Sequence, residues 1–329
     1  MPLPEKALIA QIRRMANSGK RARSAKNSTQ NLITGIGDDC AVLRIAPGRE
    51  LLVTTDFSLE GIHFRRDWHP AESVGHRCLA RGLSDIAAMG GDPVAAFLSL
   101  ALPRDVPQAW VRSFIRGWMT LAKKYDVPLA GGDTARSPNK ILADIIVIGS
   151  APKGKAVLRS TARAGDRIFV SGELGGSAAA VAELMAKPTK KPNPRDYPRH
   201  FYPEPRIKLG RILRENLVSA MIDLSDGLST DLAHICEESG VGAKIASALI
   251  PRARVGKPAR EVAHDLALHG GEDYELLFTI KQADYEKIKL QMDISVIGHI
   301  TEASAGCNLV TRSGVVHALK AQGWNAFKG

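Results

Sequence analysis

The sequence predicts two domains of the α+β class, and three observations lead to this prediction. Its 329 residues are enough for two domains of ordinary size. Apolar residues make up 44% of the chain and charged residues 24%, as in globular proteins with a substantial core. Helical and strand patterns alternate without the regular spacing of a doubly wound sheet, which favours mixed domains over a parallel α/β fold.

A short run rich in proline, glycine and lysine, at 151–155, marks the predicted boundary between the domains. We therefore predict an N-terminal domain over residues 1–151 and a C-terminal domain over residues 152–329. Apolar spacing predicts the N-terminal elements as helices over 5–16, 71–89 and 107–124 and strands over 51–55 and 141–148. The C-terminal elements are predicted as strands over 166–170, 242–245 and 274–280 and helices over 177–185, 206–215 and 229–238.

The net charge of +11 is concentrated in two stretches, residues 6–26 and residues 187–206. The second stretch also contains six prolines, which predicts an extended loop. Neither stretch interleaves aromatic with basic residues, as surfaces that bind single-stranded nucleic acid do. We therefore expect no nucleic-acid partner, and we attribute the charge to a basic proteome or to attraction of anionic substrates.

The chain has neither the apolar runs of a membrane protein nor the cysteine spacing of a zinc site. No run approaches the roughly 20 apolar residues that span a bilayer. Charged residues interrupt the first 16 positions, unlike a secretory signal. The four cysteines lie far apart without a C-x-x-C pair, which indicates reduced structural thiols. The sequence therefore predicts a cytoplasmic protein with no membrane partner.

Acidic residues recur in one setting, in short Gly- or Ser-containing turns next to apolar segments. Burying a carboxylate is costly unless a cation or hydrogen bonds compensate its charge. Oxygen ligands without a His or Cys cluster suit Mg²⁺ or Mn²⁺ rather than zinc. The pattern therefore predicts divalent-cation binding at six motifs, which are Gly37-Asp38-Asp39, Thr54-Thr55-Asp56, Leu83-Ser84-Asp85, Gly131-Gly132-Asp133, Asp223-Leu224-Ser225-Asp226-Gly227 and Gly270-Gly271-Glu272-Asp273.

Asp85 gives the sharpest single signal, because it shares the apolar stripe of its predicted helix with Cys78. Aspartate is a mediocre helix former, and an unpaired carboxylate on a packing face would be expensive. Metal ligation is favoured here over the alternative, which is an ion pair with Arg81 or Arg77.

Asp56 and Asp133 follow short apolar segments, where functional carboxylates are frequent. Asp56 is predicted at the end of the strand over 51–55, with Thr54 and Thr55 adding oxygen donors on either side of it. The alternative is a solvated strand end. Asp133 follows two glycines, which allow the backbone to approach a ligand closely. A simple tight turn is the alternative.

The remaining acids also have two interpretations. Asp38 and Asp39 repel one another unless a cation lies beside them, but an Asx-turn would explain the same residues. Asp223, Ser225 and Asp226 lead directly into a predicted helix. Helix capping explains one of these three residues but not all of them.

The other motifs exclude several enzyme classes but do not indicate a particular function. A Gly-rich turn at 172–176 precedes a predicted helix. Its backbone N–H groups could bind phosphate, or the turn could simply connect the strand to the helix. The chain lacks the G-x-x-x-x-G-K-[ST] loop, the protein-kinase motifs and the G-x-S-x-G elbow, which excludes those three enzyme classes. His63 is either a core or a capping histidine.

Seven motifs, taken in order, resemble the thiamine-monophosphate kinase family, which belongs to the superfamily of aminoimidazole ribonucleotide synthetase-like ATP-binding proteins. The resemblance covers the chain from about residue 30 to its end. Each motif alone is ordinary, whereas the ordered set is highly specific. The motifs are G-I-G-D-D-C-A (35–41), T-T-D (54–56), G-I-H-F (61–64), L-S-D-I-A-A-M-G-G-D-P (83–93), G-G-D-T (131–134), I-D-L-S-D-G-L (222–228) and G-G-E-D-Y-E-L (270–276).

The resemblance implies an enzyme that uses ATP and several Mg²⁺ ions to convert thiamine phosphate into thiamine diphosphate. It implies two α+β domains of the superfamily type. The first domain would bind ATP and metal ions and would form a homodimer through its sheet. The second domain would complete the active site. The implied metal ligands are Asp39, Thr54, Thr55, Asp56, Asp85, Asp133, Asp223 and Asp226. The implied ATP contacts are Gly132, Asp133, Arg159 and Ser225, and the implied thiamine phosphate contacts are His63, Glu272 and Trp324, the last in a loosely matched G-W-N-A-F.

The implied reaction needs no general base. A phosphomonoester has a second pKa of about 6, so the acceptor oxygen is largely deprotonated at neutral pH. We therefore expect direct in-line transfer assisted by metal ions, without a phosphoenzyme. Two alternatives stay open, which are another ATP-using enzyme of the same superfamily and a non-catalytic, metal-dependent nucleotide binder.

Overall fold

The computed structural model describes residues 3–17, 31–36, 40–187, 193–215, 218–285 and 293–324. The chain divides into two compact units. Unit 1 comprises Met1–Ile86 and Gly91–Gly154, and unit 2 comprises Ala87–Gly90 and Lys155–Gly329. Each unit combines helices with its own mixed sheet, so the predicted α+β class is confirmed.

Unit 1 combines a four-stranded sheet with helices and a short hairpin. Its described helices are α1 (Glu5–Asn17), α2 (Ala71–Ala88) and α3 (Gln108–Tyr125). Its described strands are β1 (Leu32–Thr34), β2 (Val42–Leu43), β3 (Arg49–Leu59), β4 (Asp92–Leu102), β5 (Leu129–Arg136) and β6 (Leu142–Pro152). β1 pairs with β2, and the larger sheet has the order β3-β6-β4-β5. In that sheet β4 and β5 are parallel, and the other two pairs are antiparallel.

The two faces of the unit 1 sheet differ in burial. On one face, Ile145 of β6 is fully buried and lies beside Gly82 of α2. Successive side chains of a strand point to opposite faces, so alternate residues of β3 lie on the other side. There Leu51, Val53 and Phe57 are 54%, 64% and 55% exposed. The sheet therefore has one helix-covered face and one face with exposed apolar side chains.

Unit 2 is built on a seven-stranded sheet. Its described helices are α4 (Gly176–Ala186), α5 (Pro198–Phe201), α6 (Ile207–Glu215), α7 (Leu228–Ser239) and α8 (His264–His269). Its described strands are β7 (Arg167–Ser171), β8 (Val218–Asp223), β9 (Val241–Ala246), β10 (Arg254–Val255), β11 (Arg260–Glu261), β12 (Leu276–Ile280), β13 (Ile294–Glu302), β14 (Cys307–Val310) and β15 (Val316–Ala318). The sheet order is β15-β14-β9-β13-β7-β12-β8, with β9 and β14 parallel, while β10 and β11 form a separate hairpin. Of the helices described in the two units, none is long and apolar enough to cross a bilayer.

Buried apolar side chains anchor β8, the last strand of this sheet, and helix α7. Ile222 of β8 and Leu232 and Ile235 of α7 belong to one buried cluster. Phe169 of β7 stacks on Phe278 of β12, with ring centroids 5.3 Å apart. Because β8 and α7 are both anchored in the core, the short loop between them is held at both ends.

Three local predictions are wrong. β3 continues to Leu59, so Asp56 lies inside the strand rather than at its end. Asp133 lies inside β5 rather than in a tight turn. In both cases pairing with a neighbouring strand outweighs the local turn signal. Of the predicted extended loop over 187–206, the part at 193–206 forms a 3-10 turn and α5, and 188–192 lie outside the described residues.

Candidate active site

Three of the predicted metal ligands of unit 1 meet where β3 faces α2. Thr54 Oγ1 donates a hydrogen bond to the carboxylate of Asp85. Asp56, two positions along the same strand face, accepts a hydrogen bond from Arg81, with Nη2 and Oδ1 3.3 Å apart. Burial raises the pKa of Asp56 even though the Arg81 guanidinium acts to lower it. The structure therefore brings Thr54, Asp56 and Asp85 into one polar cluster on the helix-covered face.

Two more of the predicted ligands of unit 1, Thr55 and Asp133, lie on the opposite face. Thr55 Oγ1 donates a hydrogen bond to Asp144 Oδ1 over 2.8 Å. Asp144 is a carboxylate that was not predicted from the sequence. Asp144, Ser99 and Asp133 occupy matched positions on β6, β4 and β5. Two strand spacings place the backbone of Asp133 roughly 10 Å from that of Asp144. The five predicted ligands of unit 1 that the structure describes thus form two groups on different faces rather than one compact set.

Glycine at position 132 is needed for strand pairing, and not only for the close approach of a ligand. Its φ angle is +148°, and a Cβ at this position would lie 1.9 Å from the carbonyl oxygen of Leu98 on β4. Glycine is therefore required for β4 and β5 to pair. The neighbouring Asp133 is exposed, and its Oδ1 accepts a hydrogen bond from the backbone N–H of Thr134 over 2.7 Å.

His63 caps the end of β3, in agreement with one of its two predicted roles. Its Nδ1 accepts a hydrogen bond from the backbone N–H of Leu59 over 3.0 Å. Because Nδ1 accepts, the neutral ring carries its proton on Nε2. The side chain borders a small cavity, whose other lining residues are Ser58, Phe64, Val74, Arg77 and Arg81.

In unit 2, two loops at one end of the sheet carry predicted ATP, metal and substrate residues. The loop after β8 contains Ser225 and Asp226 and begins at the buried Asp223. The loop before β12 contains Glu272, whose backbone N–H donates to the carbonyl oxygen of Ser225 over 2.8 Å. Residues from two predicted ligand sites are therefore in direct backbone contact.

Trp324 lies beside the same loop, whereas Arg159 lies farther back along β8. The backbone N–H of Trp324 donates to the carbonyl oxygen of Asp226 over 2.9 Å, while about half of the Trp324 side chain remains exposed. Arg159 is exposed and follows Leu158, whose carbonyl oxygen accepts the N–H of Met221 on β8 over 3.1 Å. The loop before β12 and the segment at Trp324 thus both meet the loop after β8, whereas the backbone oxygen of Arg159 accepts a hydrogen bond from Ser239 Oγ, over 2.9 Å, at the end of α7.

Asp231 fixes the loop after β8 and was missed by the sequence analysis. Its Oδ2 accepts hydrogen bonds from the backbone N–H groups of Asp226, over 3.1 Å, and Gly227, over 3.0 Å. Burial, reinforced by the charges of Asp223 and Asp226, raises the pKa of Asp231 well above its ordinary value. Side-chain ligand atoms of Asp226, Asp231 and His234 lie within 4.8 Å of one another. The available signal was an acid in the first turn of a helix, where free N–H groups attract it.

The donor set fits a hard divalent cation. In both units the described donors are predominantly carboxylate and hydroxyl oxygens, which Mg²⁺ prefers. The crowding of Asp223, Asp226 and Asp231 produces a repulsion that a bound cation relieves. Asp39, the remaining predicted metal ligand, lies outside the described residues.

Two family models match most of the chain. The model described as AIR synthase related protein, N-terminal domain, matches residues 37–151. The model described as AIR synthase related protein, C-terminal domain, matches residues 163–306.

Relatives of known name are similar over nearly the whole chain. The Thiamine-monophosphate kinase of Escherichia coli (strain K12) is 40% identical over 314 residues, which cover 92% of this chain and 94% of that protein. The crystal structure of Thiamine-monophosphate kinase from Stenotrophomonas maltophilia K279a has a TM-score of 0.78 at 34% identity, covering 94% of this chain and 97% of that one. The structure of AaThiL complexed with AMPPCP and TMP has a TM-score of 0.74 at 29% identity, covering 99% of this chain and 100% of that one.

Proposed function

Because the chain belongs to the thiamine-monophosphate kinase family and is therefore a kinase, we propose that it transfers the γ-phosphoryl group of ATP to thiamine phosphate, giving thiamine diphosphate and ADP. The complex of a relative with AMPPCP and TMP supports this pairing of a nucleotide with a thiamine phosphate acceptor.

One observation carries the proposal, which is the contact between the two functional loops of unit 2. Ser225, assigned to ATP, accepts a backbone hydrogen bond from Glu272, assigned to thiamine phosphate. Asp226, assigned to a metal ion, accepts one from Trp324, assigned to the same acceptor. Reactants bound at these residues lie side by side, as phosphoryl transfer requires.

Mg²⁺ ions supply charge neutralisation between two anionic reactants and during the transfer. The residues proposed to hold these ions all offer oxygen donors. In unit 1 they are Asp39, Thr54, Thr55, Asp56, Asp85 and Asp133, and in unit 2 they are Asp223 and Asp226. Since Thr55 and Asp133 lie on the other sheet face from Asp56, unit 1 offers two separate places for a cation.

The chain's own residues bind and orient the reactants rather than move a proton. Gly132, Asp133, Arg159 and Ser225 are proposed to contact ATP. An acceptor phosphate is largely deprotonated at neutral pH, because its second pKa is about 6, so no side chain must act as a base. The positive thiazolium ring of the acceptor suits the carboxylate of Glu272 and the aromatic face of Trp324, and His63 is also proposed to contact thiamine phosphate.

A homodimer is proposed through unit 1. The exposed face of its sheet presents Leu51, Val53 and Phe57 to solvent. The half-buried Ile146 and Ile148 of β6 lie in register with β3 on this face. Removal of apolar side chains from water is the main favourable contribution to association between proteins. A second copy of the same face is a complementary apolar partner for it.

The direct test incubates the full chain with ATP, Mg²⁺ and thiamine phosphate and quantifies the products by chromatography. We expect thiamine diphosphate and ADP in equal amounts, and neither in the absence of Mg²⁺. Free thiamine should be a poor acceptor, because its hydroxyl group needs deprotonation. ADP without thiamine diphosphate would instead favour another ATP-using enzyme of the superfamily. Salt-sensitive RNA binding without turnover would favour a nucleic-acid binder.

The variant Asp85→Asn tests the proposed metal ligands. An asparagine carbonyl oxygen still accepts the Thr54 hydrogen bond, so the fold should persist while turnover falls by about 100-fold or more. Asp67→Asn is the matched control, since Asp67 is exposed and pairs with Arg65 on the surface, where an ion pair contributes little. Near-full activity of Asp85→Asn would remove Asp85 from the ligand set.

A further inference from the structure

The Pro-rich segment of the sequence has no role in the proposed reaction, yet it is packed into unit 2. Its described part, 193–206, contains the 3-10 turn Pro194–Asp196 and helix α5. His200 and Phe201 of α5 are buried, and their rings meet edge to face with centroids 4.9 Å apart. This part of the segment is therefore an ordered piece of the unit rather than a solvated loop.

Glu275, directly before β12, is the buried partner of two arginines from this segment. Arg199 Nη1 lies 2.8 Å from Oε1, and Arg206 Nε lies 2.6 Å from Oε2, with Arg206 Nη2 also contacting Oε1. Ser171 Oγ donates to Oε2 over 2.5 Å. A carboxylate that is 1% exposed needs this set of charged donors to offset its lost hydration. The two arginine charges are thus used inside the protein rather than offered to anionic substrates.

Asp273, two positions earlier, is anchored to the same region. Its oxygens accept the backbone N–H groups of Gly175, over 2.6 Å, and Ser177, over 3.3 Å, at the start of α4. Ser177 Oγ lies 2.9 Å from Nδ1 of His200. His200 therefore connects the Pro-rich segment to the helix end that holds Asp273.

Glu272 and Tyr274 alternate in sequence with Asp273 and Glu275, and both have strained backbones. Their φ angles are 64° and 53°, a left-handed conformation that costs roughly 1–2 kcal/mol for a residue with a side chain. Such strain persists only where the surroundings fix it. Here the N–H groups of Glu272 and Tyr274 donate to the carbonyl oxygens of Ser225, over 2.8 Å, and Leu224, over 2.9 Å.

We propose that the Pro-rich segment positions the acceptor-binding residue Glu272, and that Arg199 and Arg206 are the positioning residues. This inference rests on the proposed function of Glu272. Loss of either arginine leaves Glu275 buried without full compensation, so the strained stretch before it relaxes and Glu272 leaves its place. The loop assigned to ATP is fixed separately by Asp231, so binding of thiamine phosphate weakens more than binding of ATP.

Steady-state kinetics of Arg206→Gln, Arg206→Lys and Arg195→Gln test this assignment. Arg195 lies on the same segment and is exposed, which makes its variant the matched control. Arg206→Gln should raise KM for thiamine phosphate by about 10-fold or more, while KM for ATP changes by less than about 2-fold. Arg206→Lys keeps the charge but loses the two-pronged contact, so it should fall between Arg206→Gln and the wild type. Equal rises in both KM values, or a change in kcat alone, would overturn the assignment.

Amide hydrogen exchange over residues 270–276 provides a readout that is independent of turnover. Arg206→Gln should accelerate exchange at Glu272 and Tyr274, whereas Arg195→Gln should exchange like the wild type. Unchanged protection in Arg206→Gln would overturn the positioning role. Absence of thiamine diphosphate from the wild-type reaction would instead overturn the proposed function, and the exchange result would still stand. If Arg206→Gln does not fold, as judged by its thermal midpoint, Arg206→Lys carries both measurements.

Discussion

At the scale of single residues, two buried carboxylates organise the functional loops by accepting backbone hydrogen bonds. Asp231 holds the N–H groups of Asp226 and Gly227, and Asp273 holds two N–H groups at the start of α4. The sequence predicted cation binding at acid-rich motifs, and it treated Asp273 as part of one of them. A sequence cannot separate an acid that holds a loop from one that binds a cation, because both follow glycine-containing turns.

Asp273 makes stability fall as pH rises. Burial raises its pKa to about 7, with the Glu275 charge adding to the rise and the two backbone N–H groups and Arg199 opposing it. The pKa of an aspartate in an unfolded chain is about 3.9. Between these values the folded state keeps a proton that the unfolded state has lost, so the free energy of unfolding decreases with rising pH.

Urea unfolding of the wild type and Asp273→Asn, which cannot titrate, isolates this contribution. From about pH 5 to about pH 8, the stability of the wild type relative to the variant should fall by about 2–3 kcal/mol. A difference that does not depend on pH would show that Asp273 is already ionised in the folded protein at the lower pH.

At the scale of elements, the sequence predicted helices more accurately than strands. α2, α3, α4 and α7 begin and end within two residues of their predicted bounds, because one apolar stripe against polar faces defines a helix. β4 was not predicted at all. Residues 93–102 are apolar except for Ser99, so the sequence shows no regular alternation of apolar and polar residues, although burial alternates in the strand from Phe97 onward. Strand ends, as for β3, are set by the partner strand, which lies far away in the sequence.

Replacement of Gly132 by alanine should disrupt the pairing of β4 and β5. The new Cβ would lie 1.9 Å from a backbone oxygen that cannot move without breaking the sheet, and φ is +148°. We expect Gly132→Ala to lower the free energy of unfolding by about 3 kcal/mol or more. Gly154→Ala is the control, since Gly154 has φ +68° with nothing within 4 Å of its Cβ position, and it should cost only about 1 kcal/mol. Equal losses for the two variants would mean that the contact with Leu98 adds nothing.

At the scale of the whole molecule, the order of the motifs predicted the family, while their arrangement in space needed the structure. Thr55 and Asp56 are adjacent in sequence but lie on opposite faces of β3, next to Asp144 and Arg81 respectively. Conversely, Glu272 and Ser225 are distant in sequence but share a hydrogen bond. Contacts of this kind depend on strand register and on core packing between remote segments, which a single sequence does not specify.

The exposed face of the unit 1 sheet was also hidden in the sequence, since apolar residues of β3 are expected to be buried. Val53 and Phe57 are instead 64% and 55% exposed. If a second copy covers this face, lysine at both positions places like charges opposite each other across the two-fold axis. Light scattering after gel filtration should give the wild type twice the mass of one chain and the double variant Val53→Lys/Phe57→Lys the mass of one. Leu249→Lys replaces a similarly exposed apolar residue of unit 2 and should leave the mass unchanged. A wild type with the mass of one chain, or a double variant that keeps twice that mass, would show that this face is not the interface.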